Sequence, residues 1–359
     1  PADTLQVRLN NLDLNYLLSL VKLKDISFGG NVSGYINAAD LYTGTPYLDA
    51  RITADGFSFC EGPMGDALAH AYWNRDSARL EFSADVSETP EHITQVNGYA
   101  DIADSELLIA IDADSTNVSF LNGLLSSFMA EVEGNTSGHI TIGGPMDAID
   151  LLDGALLTDV SFNLKPTNTD YRFKDSLHFA PGHIFFRGIE AYDTRQQKAI
   201  VNGAVTHNKL SDYSYNLYID AQNVLGIDLP NTGNDNFYTT IFGTGGVQIK
   251  SGPAMPLDIN IQAQAEKGSL FALNLASQNV SSSESFITFT DHNTTRNVPT
   301  IATQKQSRRR RRRPKTGQGS STDINITAHI TPDATLKLVM NQAADDHISV
   351  SGNGDLKIS

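Results

Sequence analysis

Residues 242–275 read FGTGGVQIKSGPAMPLDINIQAQAEKGSLFALNL: a glycine-started strand, a Gly-Pro turn, a second alternating strand, a Lys-Gly turn and a third strand. The same order of signals occurs at 137–164, SGHITIGGPMDAIDLLDGALLTDVSFNL, and at 33–59, SGYINAADLYTGTPYLDARITADGFSF. Its opening returns once more as GNGDLKI at 352–358. Aligning the four openings superposes Gly34, Gly138, Gly245 and Gly354, at spacings of 104, 107 and 109 residues. A fixed internal period marks one supersecondary unit stacked on itself. The period is about twice that of ordinary solenoid repeats, so each copy holds several strands.

Between the openings the chain is strand after strand. Residues 78–86, 93–102, 106–113, 183–193, 199–207, 213–221, 257–265, 286–289, 323–331 and 334–340 alternate apolar with polar, separated by Asp, Asn, Gly and Pro. Period-two alternation leaves one face of each strand apolar and the other wet. Helical spacing occurs at Leu14, Leu17, Leu18 and Val21, with Asp13 placed to cap, and again at Leu121, Leu124, Leu125 and Phe128. The third opening, LYIDAQNVLGIDLP at 217–230, carries Gly226 and Pro230, so its helix is expected to be shorter or missing. The count is about eighteen strands and two or three short helices. The expected fold class is therefore all-β: a long, repeat-built, curled sheet with a few short amphipathic helices. A sheet this long cannot leave its apolar face in water. It closes into sandwiches or a barrel, winds into a solenoid, or curls into a groove. A period near 100 residues without linker signals favours a solenoid or a groove over a string of sandwiches. Expected divisions are a repeat-built β-groove over 1–290, a disordered basic insertion over 291–322, and a continuation of the groove over 323–359.

Charge is unevenly spread. The formal net charge is −15, yet Lys305, Arg308–Arg313 and Lys315 supply 8 of the 26 basic residues, leaving 18 against 41 acidic ones. Such a body repels nucleic acid, which is not expected as a partner. The run QKQSRRRRRRPKTGQGSS at 304–321 has nothing to bury and reads as a disordered loop. Arg308, Arg309, Arg310, Arg311, Arg312 and Arg313 are either a solvated insertion or an electrostatic contact for lipid phosphates or an acidic partner. Cys60 is the one cysteine, which excludes a disulfide framework. The chain starts at Pro1 and ends in a strand-like run, and reads as part of a longer protein.

No catalytic pattern is present: no G-x-S-x-G, H-E-x-x-H or G-x-x-x-x-G-K-[ST]. An enzyme is not expected, and neither a cofactor nor a metal. The glycines of GTGG at 243–246 read as a strand start. His178 and His183 flank a Pro-Gly turn and read as turn residues rather than metal ligands; Asp112 and Asp114 lack the ligand set of a calcium loop. Asp345, Asp346 and His347 read as an acidic turn. Tyr72 and Trp73 read as core anchors, with a membrane-interface role as the alternative.

The chain resembles the TamB family of AsmA-like envelope proteins in its Bacteroidetes-type form. The resemblance rests on Leu12-Asp13-Leu14-Asn15-Tyr16-Leu17-Leu18 leading to Val32–Ile36, repeated through Val118–Leu125 and Thr136–Ile140. It continues through Phe237-Tyr238 to Gly245, Gly252-Pro253, 257–265, Glu266-Lys267-Gly268 and 286–289, then Thr331-Pro332-Asp333-Ala334 with Leu336, Leu338, Gly352 and Gly354. The order and spacing of these motifs carry the resemblance across the whole chain. The Arg run looks like a lineage-specific insertion, and the family's final C-terminal segment looks missing. The resemblance implies a sheet curled like a taco around an apolar groove. It implies an inner-membrane anchor at the N-terminus and a path across the periplasm of a Gram-negative envelope. It implies a BamA- or TamA-type outer-membrane barrel as partner, and a role in phospholipid transport or outer-membrane protein assembly. Acyl chains would then cover the apolar face, at about 0.8 kcal/mol per buried CH₂. The candidate groove residues are Leu107, Ile109, Ile111, Ile140, Ile142, Val247, Ile249, Ile259, Ile261, Leu336 and Leu338; on spacing alone they suit a sandwich core equally well. A surface solenoid with a dry core, and a scaffold that receives unfolded strands at a sheet edge, are the other readings.

Overall fold

The structure, a computed structural model, describes residues 4–18, 27–40, 46–232, 236–253, 255–275, 322–341 and 346–358. These form one sheet of twenty strands, not closed into a barrel, with two short helices. The first unit holds β1 (Thr4–Asp13), α1 (Leu14–Leu18), β2 (Phe28–Ala39), β3 (Tyr47–Phe59), β4 (Gly62–Asn74), β5 (Arg79–Thr89) and β6 (His92–Asp101). The second holds β7 (Glu106–Asn117), α2 (Leu121–Leu124), β8 (Met129–Pro145), β9 (Asp150–Leu164), β10 (Thr169–Ala180), β11 (His183–Asp193) and β12 (Lys198–Asn208). The third holds β13 (Ser211–Leu229), β14 (Phe237–Gly252), β15 (Met255–Ala265) and β16 (Leu270–Asn274). After it come β17 (Thr322–Ile330), β18 (Thr335–Asn341), β19 (Asp346–Val350) and β20 (Gly354–Ile358). The repeat is thus a period of six strands: the four aligned glycines lie on β2, β8, β14 and β20.

β1 to β14 form an antiparallel meander, each strand paired with the next. β15 and β16 then pair with the two halves of β14 while running in one direction, so they are one interrupted rung. The expected Lys-Gly turn is therefore an interruption rather than a reversal: Gly268 donates from its N–H to the carbonyl of Asp333 in a matching break. β17 and β18 lie parallel to β15 and β16, and β19 and β20 close the edge antiparallel. Twenty strands thus make seventeen rungs. The parallel step requires the chain to leave at Leu275 and return at Thr322, beside Leu257, at the opposite end of the rung. The residues between, including the expected strand at 286–289, the expected disordered insertion and Arg308–Arg313, lie outside the described residues, as does Asp345.

A line of irregularities crosses the sheet. Register shifts fall between Leu9 and Leu12, Ala54 and Phe57, Val86 and Thr89, Ala113 and Thr116, and Ala221 and Val224. They continue into the breaks at 266–269, 331–334 and 351–353. Bulges bend a strand and increase its twist, so a line of them creases a sheet. The repeat glycines sit on this crease. Gly34, Gly138 and Gly245 have φ of +152°, +138° and +152°. Each lies in a strand interior, not at the strand start expected from sequence. Each pairs with the last residue before a two-residue bulge on the preceding strand, whose second member has positive φ: Asn11, Ser115 and Asn223. The hydroxyl of the residue before each glycine, Ser33, Ser137 or Thr244, accepts that bulge residue's N–H at 3.0, 2.8 and 2.9 Å. Gly354, on the edge, begins its strand and has open space where a β-carbon would stand.

The two sides of the crease differ. On the side bearing the helices the sheet curls onto itself. The Asp13 carboxylate caps α1 by accepting the Asn15 N–H at 2.8 Å. α2 reaches back to the β3–β4 turn, setting Phe120 on Phe59 with ring centroids 5.4 Å apart. Val118, Val132 and Val160 are buried there with Leu121, Met129, Phe162 and Phe173 packed around them. As the third opening foretold, β13 has no helix and stays extended to Leu229. It nonetheless crosses back to β10: Tyr171 Oη donates to the Leu225 carbonyl at 2.7 Å, and the Asp228 N–H to the Thr167 carbonyl at 2.8 Å. The β11–β12 tip is held beneath. The buried carboxylate of Asp193 accepts the N–H groups of Arg195, Gln197 and Leu225, each at 2.8 Å.

Candidate functional site: an unbroken apolar face

On the other side of the crease the pairing register lines apolar residues across every rung. One row runs Val7, Ile36, Ala50, Ala71, Phe82, Gly98, Ile109 and Ile142. The adjacent row carries it on from Ile140 through Gly154, Phe179, Ile184 and Val205. Gly203 leads to Leu217, Ile249, Ile259 and Ile324, and Val201 to Ile219, Val247, Ile261 and Ile326. Leu356 faces Ala328 at the far edge. At roughly 4.8 Å per rung the face is about 75 Å long.

The register brings the sequence-derived candidates together. Ile109 faces Ile142, and Ile111 faces Ile140; Leu107 is on the same face, opposite Gly144. Val247 faces Ile261 and Ile249 faces Ile259. Leu336 and Leu338 pair with Phe271 and Leu273 and share the apolar face, but lie beyond the crease on the helix side. All eleven are half-buried, whereas Val32, Val118, Val132, Val160, Val224 and Leu225, at or beyond the crease, are buried. Sequence reading missed Phe82, Phe179, Leu217 and Ile324, which the register adds. Their alternation was visible, but membership of one continuous row needs the pairing.

The opposite face is mainly polar, with Leu68, Leu157 and Tyr218 exposed on it, and is crossed by His–Asp contacts between strands: His70 with Asp49 at 2.8 Å, His139 with Asp112 at 2.7 Å, His329 with Asp355 at 3.0 Å. Arg172 hydrogen-bonds Asp159 and holds its carboxyl below the usual carboxylate range; Lys198 does the same to Glu190. Asp114 lies 3.3 Å from His92. His183 Nδ1 lies 2.8 Å from the Pro181 carbonyl, and its ring stacks on Phe185. Trp73 pairs with Leu80 on the apolar face, while Tyr72 donates to Glu81 on the polar one. Along the crease, where polar and apolar halves meet, Thr116, Thr136 and Thr158 face one another in register and the Thr94 and Thr116 hydroxyls bond each other. Their hydrogen-bonding needs are met within the seam.

An open, creased β-sheet that is not closed into a barrel and carries a long row of apolar residues on one face defines the class: a curled all-β sheet protein. Residues 187–359 match the family model described as TamB C-terminal domain. That match places the C-terminal part of the chain, just under half of its length, in the TamB family. Comparison with curated proteins and with solved structures gave no match. The family ties the chain to translocation and assembly in the cell envelope. Among the described residues no helix is long and apolar enough to cross a membrane.

Proposed function

We propose that this region is a segment of a periplasmic bridge that carries phospholipid along its apolar face. Acyl tails lie on the strip from Val7 to Leu356 while headgroups stay in water. The observation that carries the reading is the strip itself: apolar or glycine at every rung and for the most part half-buried, with Ala50 buried and Gly203 and Ile324 exposed. A dry core would be closed, and an ordinary surface does not expose a contiguous apolar band of this length. Sliding along a non-directional surface needs no bond to form or break, so no catalytic residue is required. In the full-length protein an N-terminal inner-membrane anchor and a BamA- or TamA-type barrel would stand at the two ends of the path. A second reading, reception of unfolded outer-membrane strands, is favoured by the sheet's two free edges, β1 and β19 with β20, each paired on one side only among the described residues.

The test is native mass spectrometry of the chain purified from a bacterial envelope. Ile249→Asp with Ile261→Asp should strip co-purified phospholipid, while Gln248→Asp with Gln262→Asp, on the other face of the same strands, should retain it. A folded, lipid-free wild-type chain would move the assignment to strand reception.

A further inference from the structure

We propose that the cavity at the β5–β6 tip binds one organic ammonium group, supplied by the ethanolamine head of a phospholipid lying on the apolar strip. The ammonium site rests on the internal repeat; its assignment to a lipid rests on the function proposed above. The cavity, of about 140 Å³, lies within the unbroken described run 46–232. Glu88, His92, Asp114, Ser115 and Asn135 line it, and no lysine or arginine does.

One repeat later the chain fills the same space with a cation of its own. Ala84, Val96 and Ile111 stand in one row, as do Ile189, Val201 and Ile219, which superposes Glu88 on Asp193, Pro90 on Arg195 and Ser115 on Asn223. Gly138 on Gly245 likewise superposes Asn135 on Phe242. The Arg195 guanidinium lies 3.6 Å over the Phe242 ring, donates to the Asn223 carbonyl at 2.6 Å and stands 3.8 Å from the Asp193 carboxylate. The two carboxylates are held from equivalent positions of the following strand. The Leu225 N–H donates to Asp193 at 2.8 Å, and the Asn117 side-chain amide to Glu88 at 3.1 Å. At the β5–β6 tip Pro90 removes the guanidinium and Asn135 replaces the ring, while Asp114 adds a second carboxylate, 3.3 Å from His92 Nδ1. The acceptors that surround a cation one repeat later are thus kept, and the cation is not.

Among the described residues no three His, Cys, Asp or Glu side chains are spaced to hold a metal ion. The acceptors suit a cation that brings directed N–H donors of its own. At roughly 30 Å³ per water-sized group the cavity admits a head of about four heavy atoms. Val86 lines it too and stands on the face of Phe82, about 14 Å along β5 from the strip, so a head seated there leaves its tails over the apolar row.

The probe is glycerophosphoethanolamine, titrated into the full chain and followed by saturation-transfer NMR on its ethanolamine protons. Glu88→Gln with Asp114→Asn should cut the transfer about fivefold with circular dichroism unchanged, and glycerophosphocholine, whose ammonium has no N–H, should give a similarly weak signal. Pro90→Arg should do the same by supplying the guanidinium of the next repeat. No transfer, or transfer indifferent to these substitutions, overturns the site. In native mass spectrometry of the chain from a bacterial envelope, phosphatidylethanolamine should exceed phosphatidylglycerol beyond their envelope ratio. The double variant should lose that enrichment while keeping its total lipid. Equal enrichment in both chains overturns the lipid as the source of the ammonium group. A lipid-free wild type overturns that source together with the function it rests on, while the soluble titration still decides the cavity.

Discussion

A β-carbon placed on Gly34, Gly138 or Gly245 would fall on the carbonyl oxygen of Arg51, Ala155 or Gln262 in the next strand, far inside contact distance. Their positive φ adds a conformational penalty for any other residue. Gly245→Ala should therefore cost about 2–4 kcal/mol, read as a lower urea midpoint. Gly354→Ala, with open space around it, should stay within about 0.5 kcal/mol. Equal effects at both positions would remove the crease from the account of the repeat. The polar face makes a second prediction at this scale. The Arg172 hydrogen bond lowers the Asp159 pKa and the Lys198 bond lowers that of Glu190. A depressed carboxylate stabilises the fold above its unfolded value of about 4, and this contribution is lost as pH falls through the lower folded value. Ellipticity should start to fall below about pH 4, and Asp159→Asn should flatten the onset. The repeat glycines were legible in the sequence as a period; their reason, the neighbouring carbonyl, was not, because it belongs to the next strand.

Each element was legible to the extent that its neighbours leave it alone. β11, expected at 183–193, is observed at His183–Asp193, because alternation between a Pro-Gly turn and a polar turn leaves little freedom. β13, expected at 213–221, runs to Leu229: the bulge at 222–223 hides its continuation, which exists because Leu225 and Asp228 bond to Asp193 and Thr167. Asp193→Ala would take the acceptor from the N–H groups of Arg195, Gln197 and the buried Leu225 and should cost about 2–4 kcal/mol, against a small effect for the exposed Asp170→Ala. Asn122→Ala, which frees the Val132 amide, should cost about 1–3 kcal/mol and lower hydrogen-exchange protection locally at α2.

At the scale of the molecule, the six-strand period makes a prediction about deletion. Removing 138–244 joins Ser137 to Gly245 and preserves the register of face to face, so the shortened chain should fold as a β-protein with a shorter apolar strip. Removing 138–243 adds one residue to the junction and sends the following apolar set to the wrong face. That variant should aggregate or lose its sharp thermal transition. If both fold equally well by circular dichroism and sedimentation, register does not govern the apolar face.

The sequence by itself determined the all-β class, the period, the alternation and the missing third helix, because these depend on residue type and near neighbours along the chain. It also placed Ile109, Ile142, Val247, Ile249, Ile259 and Ile261 as inward candidates, since side chains in a strand alternate with period two. Only the tertiary structure decided that these rows join across the sheet, that the Lys-Gly break continues a rung rather than reversing it, and that Leu336 and Leu338 stand beyond the crease. Those facts follow from register and from bulges opposite glycines, in which hydrogen bonds link residues about twenty positions apart. No local pattern encodes which strand lies beside which, or which side of a bend the chain itself fills.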